Sequence, residues 1–341
     1  MAIDSLHGAP LPPLDELMGA ARVVSIPTRT RFRGISVREA VIFDAPHGPA
    51  EFSPFTEYAF GESSRWLAAA IEFGWGETPA ARRDTVDVNA TVPAVSAGSV
   101  ADVLARFPGC RTAKVKVAER GQSLADDVAR VRSVRAAMGA DARVRVDANG
   151  GWSVDEAFSA LTALAEFDLD YAEQPCATVP ELADLRARLA RAGIPMRIAA
   201  DESVRKAEDP LAVARAGAAD LIVVKAQPLG GIAPALAIIE EAQLPVIVSS
   251  ALDTSVGISM GLHLAAALPD GALAGACGLG TVALLDGDVV ADRLLPEGGA
   301  LRVRRPALDA GALERYRPTP DRERWWQERV SRCHAALTEA G

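Results

Sequence analysis

Eight short β-prone runs follow one another from about residue 86, separated by Ala-rich helical stretches. Their polar or small ends fall at Asn89, Lys116, Asp147, Glu173, Asp201, Lys225, Ser249 and Gly278, 24 to 31 residues apart. One strand, one helix and two short loops need about that much chain. Eight such units predict an α/β fold with a (β/α)8-type barrel over residues 86–300. The last run, GACGLGTVALL, is glycine-rich and the least regular of the set. Residues 1–85 are written in another style. Residues 21–53 alternate and are rich in β-branched side chains, which predicts two or three antiparallel strands with turns at Pro27, Gly34 and Pro46 to Gly48. TEYAFGESSRWLAAAIEFGW then predicts a helix whose apolar stripe is Trp66, Leu67, Ala70 and Phe73. At 341 residues the chain suits one barrel with an attachment, and residues 301–341 form a separate C-terminal segment.

In barrels of this kind the reactive groups stand at the C-terminal ends of the strands. Asp147, Glu173 and Asp201 end three neighbouring runs. In TAKVKVAER, strand alternation puts Lys114 and Lys116 on one face, and Val115 and Val117 on the face that packs under helices. Of 36 basic residues only Lys114, Lys116, Lys206 and Lys225 are lysine. Arginine stays protonated at neutral pH, whereas lysine yields its proton once burial or a neighbouring cation lowers its pKa. Two ammonium groups on one strand face repel, which favours a neutral amine on one of them. Lysines aimed into a barrel mouth therefore suit proton abstraction. Exposure on an edge strand is the plainer alternative, disfavoured by the intervening valines. Any one of the three carboxylates alone reads as a loop residue or helix cap. Three at adjacent strand ends repel one another unless a cation sits between them, and an oxygen-only set suits Mg2+, with Mn2+ as a substitute. A hard dication flanked by lysines suits removal of a proton α to a carboxylate, with stabilisation of the resulting enediolate.

The net charge of −9 argues against nucleic acid as a partner, and no apolar run reaches membrane-spanning length. The N-terminus lacks the basic-then-apolar order of a secretory signal, and the four cysteines form no CxxC pair, so reduced thiols in the cytoplasm are expected. The expected partner is a small-molecule carboxylate. The oligomeric state is left open, a monomer being compatible. His263, inside a helical run, reads as a packed residue, and Leu229 to Gly231 as a turn into a helix rather than an anion cradle. Asn149 reads equally as a turn residue or a site residue, and Glu202 equally as a supporting group or a salt bridge.

Lys114-Val-Lys116, RVDANGGW, EQP, ADES and the lysine of VVK resemble the enolase superfamily, in its muconate-lactonising branch. More narrowly, SIPTRTRFRGISVREAV, EFSPFTEY, CRTAKVKVAE and VSSALDTSVG resemble the actinobacterial type of the o-succinylbenzoate synthase family, from about residue 21 to 306. The resemblance implies a barrel with an α+β capping domain; the tail lies outside it, and its own Trp325 and Trp326 with Arg322, Arg324 and Arg329 read as a helix docked on the cap rather than a binding site. The resemblance implies Mg2+ on Asp147, Glu173 and Asp201, Lys116 as the base, and Lys225 as a cation on the opposite face. Lys114 would tune Lys116 and touch the substrate carboxylate. Arg145, Asn149, Ser249 and Ser250 would contact substrate, and Ser53, Pro54 and Phe55 would close over it. The implied reaction is dehydration of 2-succinyl-6-hydroxy-2,4-cyclohexadiene-1-carboxylate to o-succinylbenzoate in menaquinone synthesis. An N-acylamino acid racemase or dipeptide epimerase of the same superfamily is the rival, and a non-catalytic metabolite-binding barrel the rival of another class. HGPAEFSPF, where a Trp-Gly pair is usual, and Gln227, where a small apolar residue is expected, depart from the pattern.

Overall fold

The structure, a computed structural model, describes residues 10–32, 34–206 and 209–340. The cap begins with β1 (Ala21–Phe32), β2 (Ile35–Phe43) and β3 (Ala50–Phe52), an antiparallel sheet in chain order. Pro27 is not a turn. It lies within β1 opposite Val37, where the register slips before the strands rejoin at Phe32 and Ile35. Its carbonyl accepts from the Asp286 amide of a distant segment, so the missing proline N–H costs no ladder bond there. The helix Phe60–Trp75 buries the expected stripe together with Ala68, Ala69 and Ile71. It is covered nearly all round because it lies between β3, the helix Pro320–Ala340 and the barrel helix Ala226–Leu229.

β4 (Thr85–Asp87) pairs antiparallel with β12 (Ala300–Arg302), which ties the start of the barrel to its end. The run VDVNATV is therefore two strands rather than one. Between them are β5 (Ala90–Val92), β6 (Thr112–Lys116), β7 (Arg143–Asp147), β8 (Leu169–Glu173), β9 (Ile198–Ala200), β10 (Leu221–Val224) and β11 (Val246–Val248). These seven are parallel neighbours in sequence order. The eighth run closes the barrel through single bridges, Ser249 to Gly278 on one side and Val88 to Cys277 on the other. Gly278 permits that closure, since a Cβ there would stand 2.4 Å from Ser249 Oγ. No long eighth helix follows. A short 3-10 turn, Thr281–Leu284, leads back to the cap, where Leu285 bridges Thr28. Three barrel helices start at Ser or Thr caps that the sequence writes as capping boxes: Ser123 with Asp126, Ser153 with Glu156 and Thr178 with Glu181.

The terminal helix Pro320–Ala340 lies on the cap. Trp326 is buried with its ring edge-on to Phe52 at 5.9 Å, and Arg322 Nε donates to both oxygens of Glu39. Arg324 pairs with Asp321 one turn back on the exposed side. Among the described residues no helix is long and apolar enough to cross a membrane.

Two cap carboxylates dock on the N-termini of barrel helices. Glu72 accepts from the amides of Ile232 and Ala233 at the start of the helix Ile232–Ala242. The preceding Gly231, at φ +139°, leaves room that a Cβ would fill at 2.1 Å from Glu72. Glu51 accepts from the amides of Thr254 and Gly257, at 3.1 and 3.0 Å, at the start of the helix Ser255–Ala267. Ser53 Oγ donates to it at 2.6 Å. Burial, then the neighbouring Asp253, pushes Glu51 from an ordinary 4.5 up to about 7, against the pull of Arg38. A carboxyl whose pKa is raised on folding is protonated more readily in the folded chain. Its stabilising contribution is fully present below about pH 4.5 and is lost as the pH rises through about 7. The shift corresponds to about 3 kcal/mol. Glu51→Gln is therefore expected to gain stability relative to the parent as the pH rises from 5 to 8. Thermal unfolding of both proteins at the two pH values checks this, and a difference in Tm that does not vary with pH refutes it.

Candidate active site

Inward positions along β6 to β11 alternate with outward ones, and the polar residues take the last inward position of each strand. Below them Tyr171, Ala199, Leu221, Val223 and Ile247 fill the barrel. Above them a narrow cavity opens at the C-terminal mouth. Lys114, Lys116, Asp147, Asn149, Lys225, Ser249 and Ser250 line it, while Glu173 and Asp201 sit beside it through their lysine partners. All three carboxylates and all three lysines are buried.

The register brings the charges together. Lys116 is opposite Asp147, and Asp147 opposite Glu173. Lys116 Nζ lies 2.6 Å from Asp147 Oδ2 and 2.6 Å from Asn149 Oδ1. Lys114 Nζ lies 2.9 Å from Glu173 Oε1 and 3.2 Å from Asp147 Oδ2, so the Asp147 carboxylate stands between the two ammonium groups. Lys225 pairs with Asp201 from the end of the adjacent strand. Burial alone would lower Lys114, but Glu173 and then Asp147 hold it above the usual lysine range. Burial lowers Lys225, and Asp201 offsets this only in part. The mutual repulsion expected of the paired lysines is thus screened by Asp147, and the lysine of lowered basicity is the one on the far side. Burial works to raise Asp147, but Lys116 and Lys114 outweigh it and hold that carboxyl below the usual range. Asp201 is lowered likewise, Lys225 and Arg205 outweighing burial. Glu173 is the exception: burial, then the Asp147 charge, raises it to about 7 despite Lys114.

Three buried carboxylates at neighbouring strand ends, oxygen donors only, fit a hard divalent cation. Among the described residues, no three such side chains are grouped closely enough to hold an ion as they stand. Each carboxylate is turned onto an ammonium group instead.

Asn149 has φ +47°, the left-handed region that asparagine tolerates, and its side chain also donates to Glu202 at 3.3 Å. It is both the turn residue and a group at the site. Ser250 Oγ donates to the Gly278 carbonyl at 2.8 Å and meets Thr281 Oγ1 at 2.8 Å. His263 is packed, bonded to the Ser259 carbonyl and edge-on to Phe73.

Two expectations are corrected. Arg145 does not reach the mouth. Its register partners are Lys114 and Tyr171, one layer below Asp147, and it is fully buried. Its guanidinium is bound to Asp170 at 2.9 Å and to the Ala276 carbonyl at 2.6 Å, over the Tyr171 ring. Ser53, Pro54 and Phe55 do not line the cavity. They are buried beside it, with Ser53 Oγ directed to Glu51 and, at 3.4 Å, to Gln227. Their segment is held by arginines on three sides: Arg38 donates to the Ser53 carbonyl, Arg329 to those of Phe55 and Tyr58, and Arg205 to the Tyr58 hydroxyl. Among the described residues the cap contributes Phe32 to the cavity, its ring centre 5.5 Å from Lys116 Nζ.

Sequence reasoning missed Phe32, Thr91, Thr281 and Arg205. Arg205 carries a signal, because it follows Asp201 by four residues, the spacing of an ion pair on a helix, and its Nε donates to Asp201 Oδ1 at 3.0 Å. Thr91 stands opposite Lys114 on the neighbouring strand, so alternation also marked it, while Phe32 carries no signal because its place depends on how the cap sits over the barrel.

The Enolase N-terminal domain-like family matches residues 23–77, and the Enolase C-terminal domain-like family matches residues 98–308. The chain is 54% identical over 328 residues to o-succinylbenzoate synthase of Mycolicibacterium smegmatis, covering 96% of this chain and 99% of that protein. It is 54% identical to o-succinylbenzoate synthase of Mycobacterium leprae, covering 96% and 95%. Of solved structures, 2-chloromuconate cycloisomerase from Rhodococcus opacus superposes with a TM-score of 0.73 at 25% identity, over 88% of this chain and 98% of that one. N-succinyl Arg/Lys racemase from Bacillus cereus superposes at 0.72 with 19% identity, over 87% and 96%, a likeness of fold. A lysine- and carboxylate-lined barrel mouth under an α+β cap, in a chain that matches these relatives end to end, is an enzyme that belongs to the o-succinylbenzoate synthase family of the enolase superfamily.

Proposed function

We propose that the enzyme is a cytoplasmic hydro-lyase of menaquinone biosynthesis. It would dehydrate 2-succinyl-6-hydroxy-2,4-cyclohexadiene-1-carboxylate to o-succinylbenzoate. The observation that carries the reading is the placement of Lys116 and Lys225 on opposite sides of one carboxylate-lined mouth. Asp147, Glu173 and Asp201 would hold Mg2+ or Mn2+. The bound ion would supply positive charge to the substrate carboxylate and to the enediolate that it becomes.

Lys116, as the neutral amine, takes the proton from the ring carbon bearing the carboxylate. Asn149 Oδ1, 2.6 Å from its Nζ, aims it. The electron pair left behind becomes part of the ring as the bond from carbon to the hydroxyl oxygen breaks. Lys116 then returns its proton to the departing hydroxide, so water leaves from the face that lost the proton and the base is regenerated. Lys225 faces the other side and remains an ammonium beside the developing negative charge. Lys114 stays protonated between Glu173 and Asp147, within reach of a carboxylate in the cavity. Ser249 and Ser250 offer hydroxyls to the succinyl arm.

Formation of the aromatic ring changes the ultraviolet absorbance, so incubation with the cyclohexadiene substrate and Mg2+ tests the reading directly. The expected result is a steady absorbance change, and its absence with fully metallated, folded enzyme overturns the assignment. The lowered basicity of Lys225 favours one second reading, racemisation of N-acylamino acids, in which Lys225 exchanges a proton itself. The Lys225→Arg variant separates the two. It keeps the cation, so dehydration is expected to persist at a measurable rate. Arginine cannot act as a base, so racemisation is expected to vanish. Dehydration lost altogether in a folded Lys225→Arg, with deuterium exchange also lost at the face opposite Lys116, would assign Lys225 proton transfer instead.

A further inference from the structure

The loop that follows β11 carries one wall of the cavity, Ser249 to Ala251, and then passes through Leu252. Leu252 is fully buried and has φ +64°. A leucine rarely adopts this left-handed conformation, and such a residue persists only where its surroundings over-determine it. The group that holds it comes from the other domain. Arg38, on β2 of the cap and 2% exposed, donates from Nε to the Leu252 carbonyl at 3.1 Å. The same guanidinium donates from Nη2 to the Ser53 carbonyl and from Nη1 to the Glu39 carbonyl at 3.3 Å. It lies 4.7 Å from the Phe55 ring centre and 3.9 Å from Asp253 Oδ1. One rigid fork thus joins the strained loop, the end of β3 and the cap strand. Lysine, a single point of charge, cannot reproduce that geometry.

We infer that Arg38 is a positioning residue: by fixing the Leu252 carbonyl from the cap, it sets where Ser249, Ser250 and Ala251 stand in the cavity, and so controls binding of the substrate's arm. Its kinetic part rests on the reading of the function given above. The wall meets the substrate away from the carbon that loses its proton, so it contributes equally to the ground state and the transition state, and its loss raises KM and leaves kcat.

Two measurements test this. Arg38→Met is expected to raise KM for the cyclohexadiene substrate at least tenfold, with kcat within threefold of the parent, and Arg38→Lys to fall between. In the free enzyme, hydrogen exchange followed by mass spectrometry is expected to show faster exchange of residues 249–256 in Arg38→Met, with residues 143–149 unchanged. If the Met variant does not fold, Arg38→Lys carries both measurements. A lowered kcat at constant KM, or exchange in 249–256 equal to the parent in a folded variant, overturns the inference. If the parent enzyme does not turn over the substrate, the proposed function fails while the exchange measurement still decides the role of Arg38.

Discussion

Lys116→Arg is expected to lose about 10²–10⁴-fold in kcat, the usual contribution of a positioned acid–base group. The substitution keeps the positive charge and most of the aliphatic stem, so the pairing with Asp147 across the β6–β7 register has a successor. What disappears is the capacity to become a neutral amine at an accessible pH. The loss should therefore fall on the chemical step while KM changes little. Circular dichroism and thermal unfolding establish that the variant is folded, and single-turnover absorbance measurements isolate the step. A kcat equal to that of the parent would remove Lys116 from the reaction. Lys116→Ala is the less informative variant, because it leaves the buried Asp147 carboxylate with one ammonium partner fewer and mixes a folding effect into the kinetic one.

The second large effect is that of the metal. Dialysis against EDTA is expected to reduce turnover by at least about 10³-fold, since charge stabilisation by a bound dication is worth several kcal/mol and each 1.36 kcal/mol is tenfold in rate. Mg2+ or Mn2+ should restore it. Binding also has a readout without substrate. Mn2+ titration followed by electron paramagnetic resonance should show one tight site in the parent, weakened at least tenfold in Glu173→Gln. Glu173 is the informative ligand to alter, because burial and then the Asp147 charge already raise it to about 7. The amide removes a donor oxygen without adding bulk. Full turnover in demonstrably metal-free protein would refute the assignment of the three carboxylates.

Much of this site was legible because a parallel strand writes its geometry in parity and spacing. Polar residues at 24 to 31 residue intervals from Lys116 to Ser249 named the strand ends, though Asn89 proved to precede β5, and alternation named the inward face. The scarcity of lysine picked out Lys114, Lys116 and Lys225 before any contact was seen. Parity does not give depth, however. Arg145 has the same parity as Asp147 and faces the same interior, yet it sits one layer down among Tyr171 and Asp170. Local rules also failed where a distant segment supplied the missing bond. Pro27 reads as a turn until the Asp286 amide is known to bond its carbonyl, and the eighth run reads as a strand until its glycines reduce it to bridges. The approach of the cap is the least legible part. Nothing in EFSPFTEY distinguishes residues that face a substrate from residues wedged between arginines, and the residue that does face the cavity, Phe32, lies on another strand.

The carboxyl groups of Glu51 and Glu72 also bear on where an anion can sit at the barrel mouth. Barrels that act on phosphorylated metabolites commonly seat the phosphate on exposed amides at helix N-termini near the mouth. Here amides at the starts of the helices Ile232–Ala242 and Ser255–Ala267 already bond carboxyl groups that the cap delivers. The joint between the two domains thereby closes both helix starts to a phosphate.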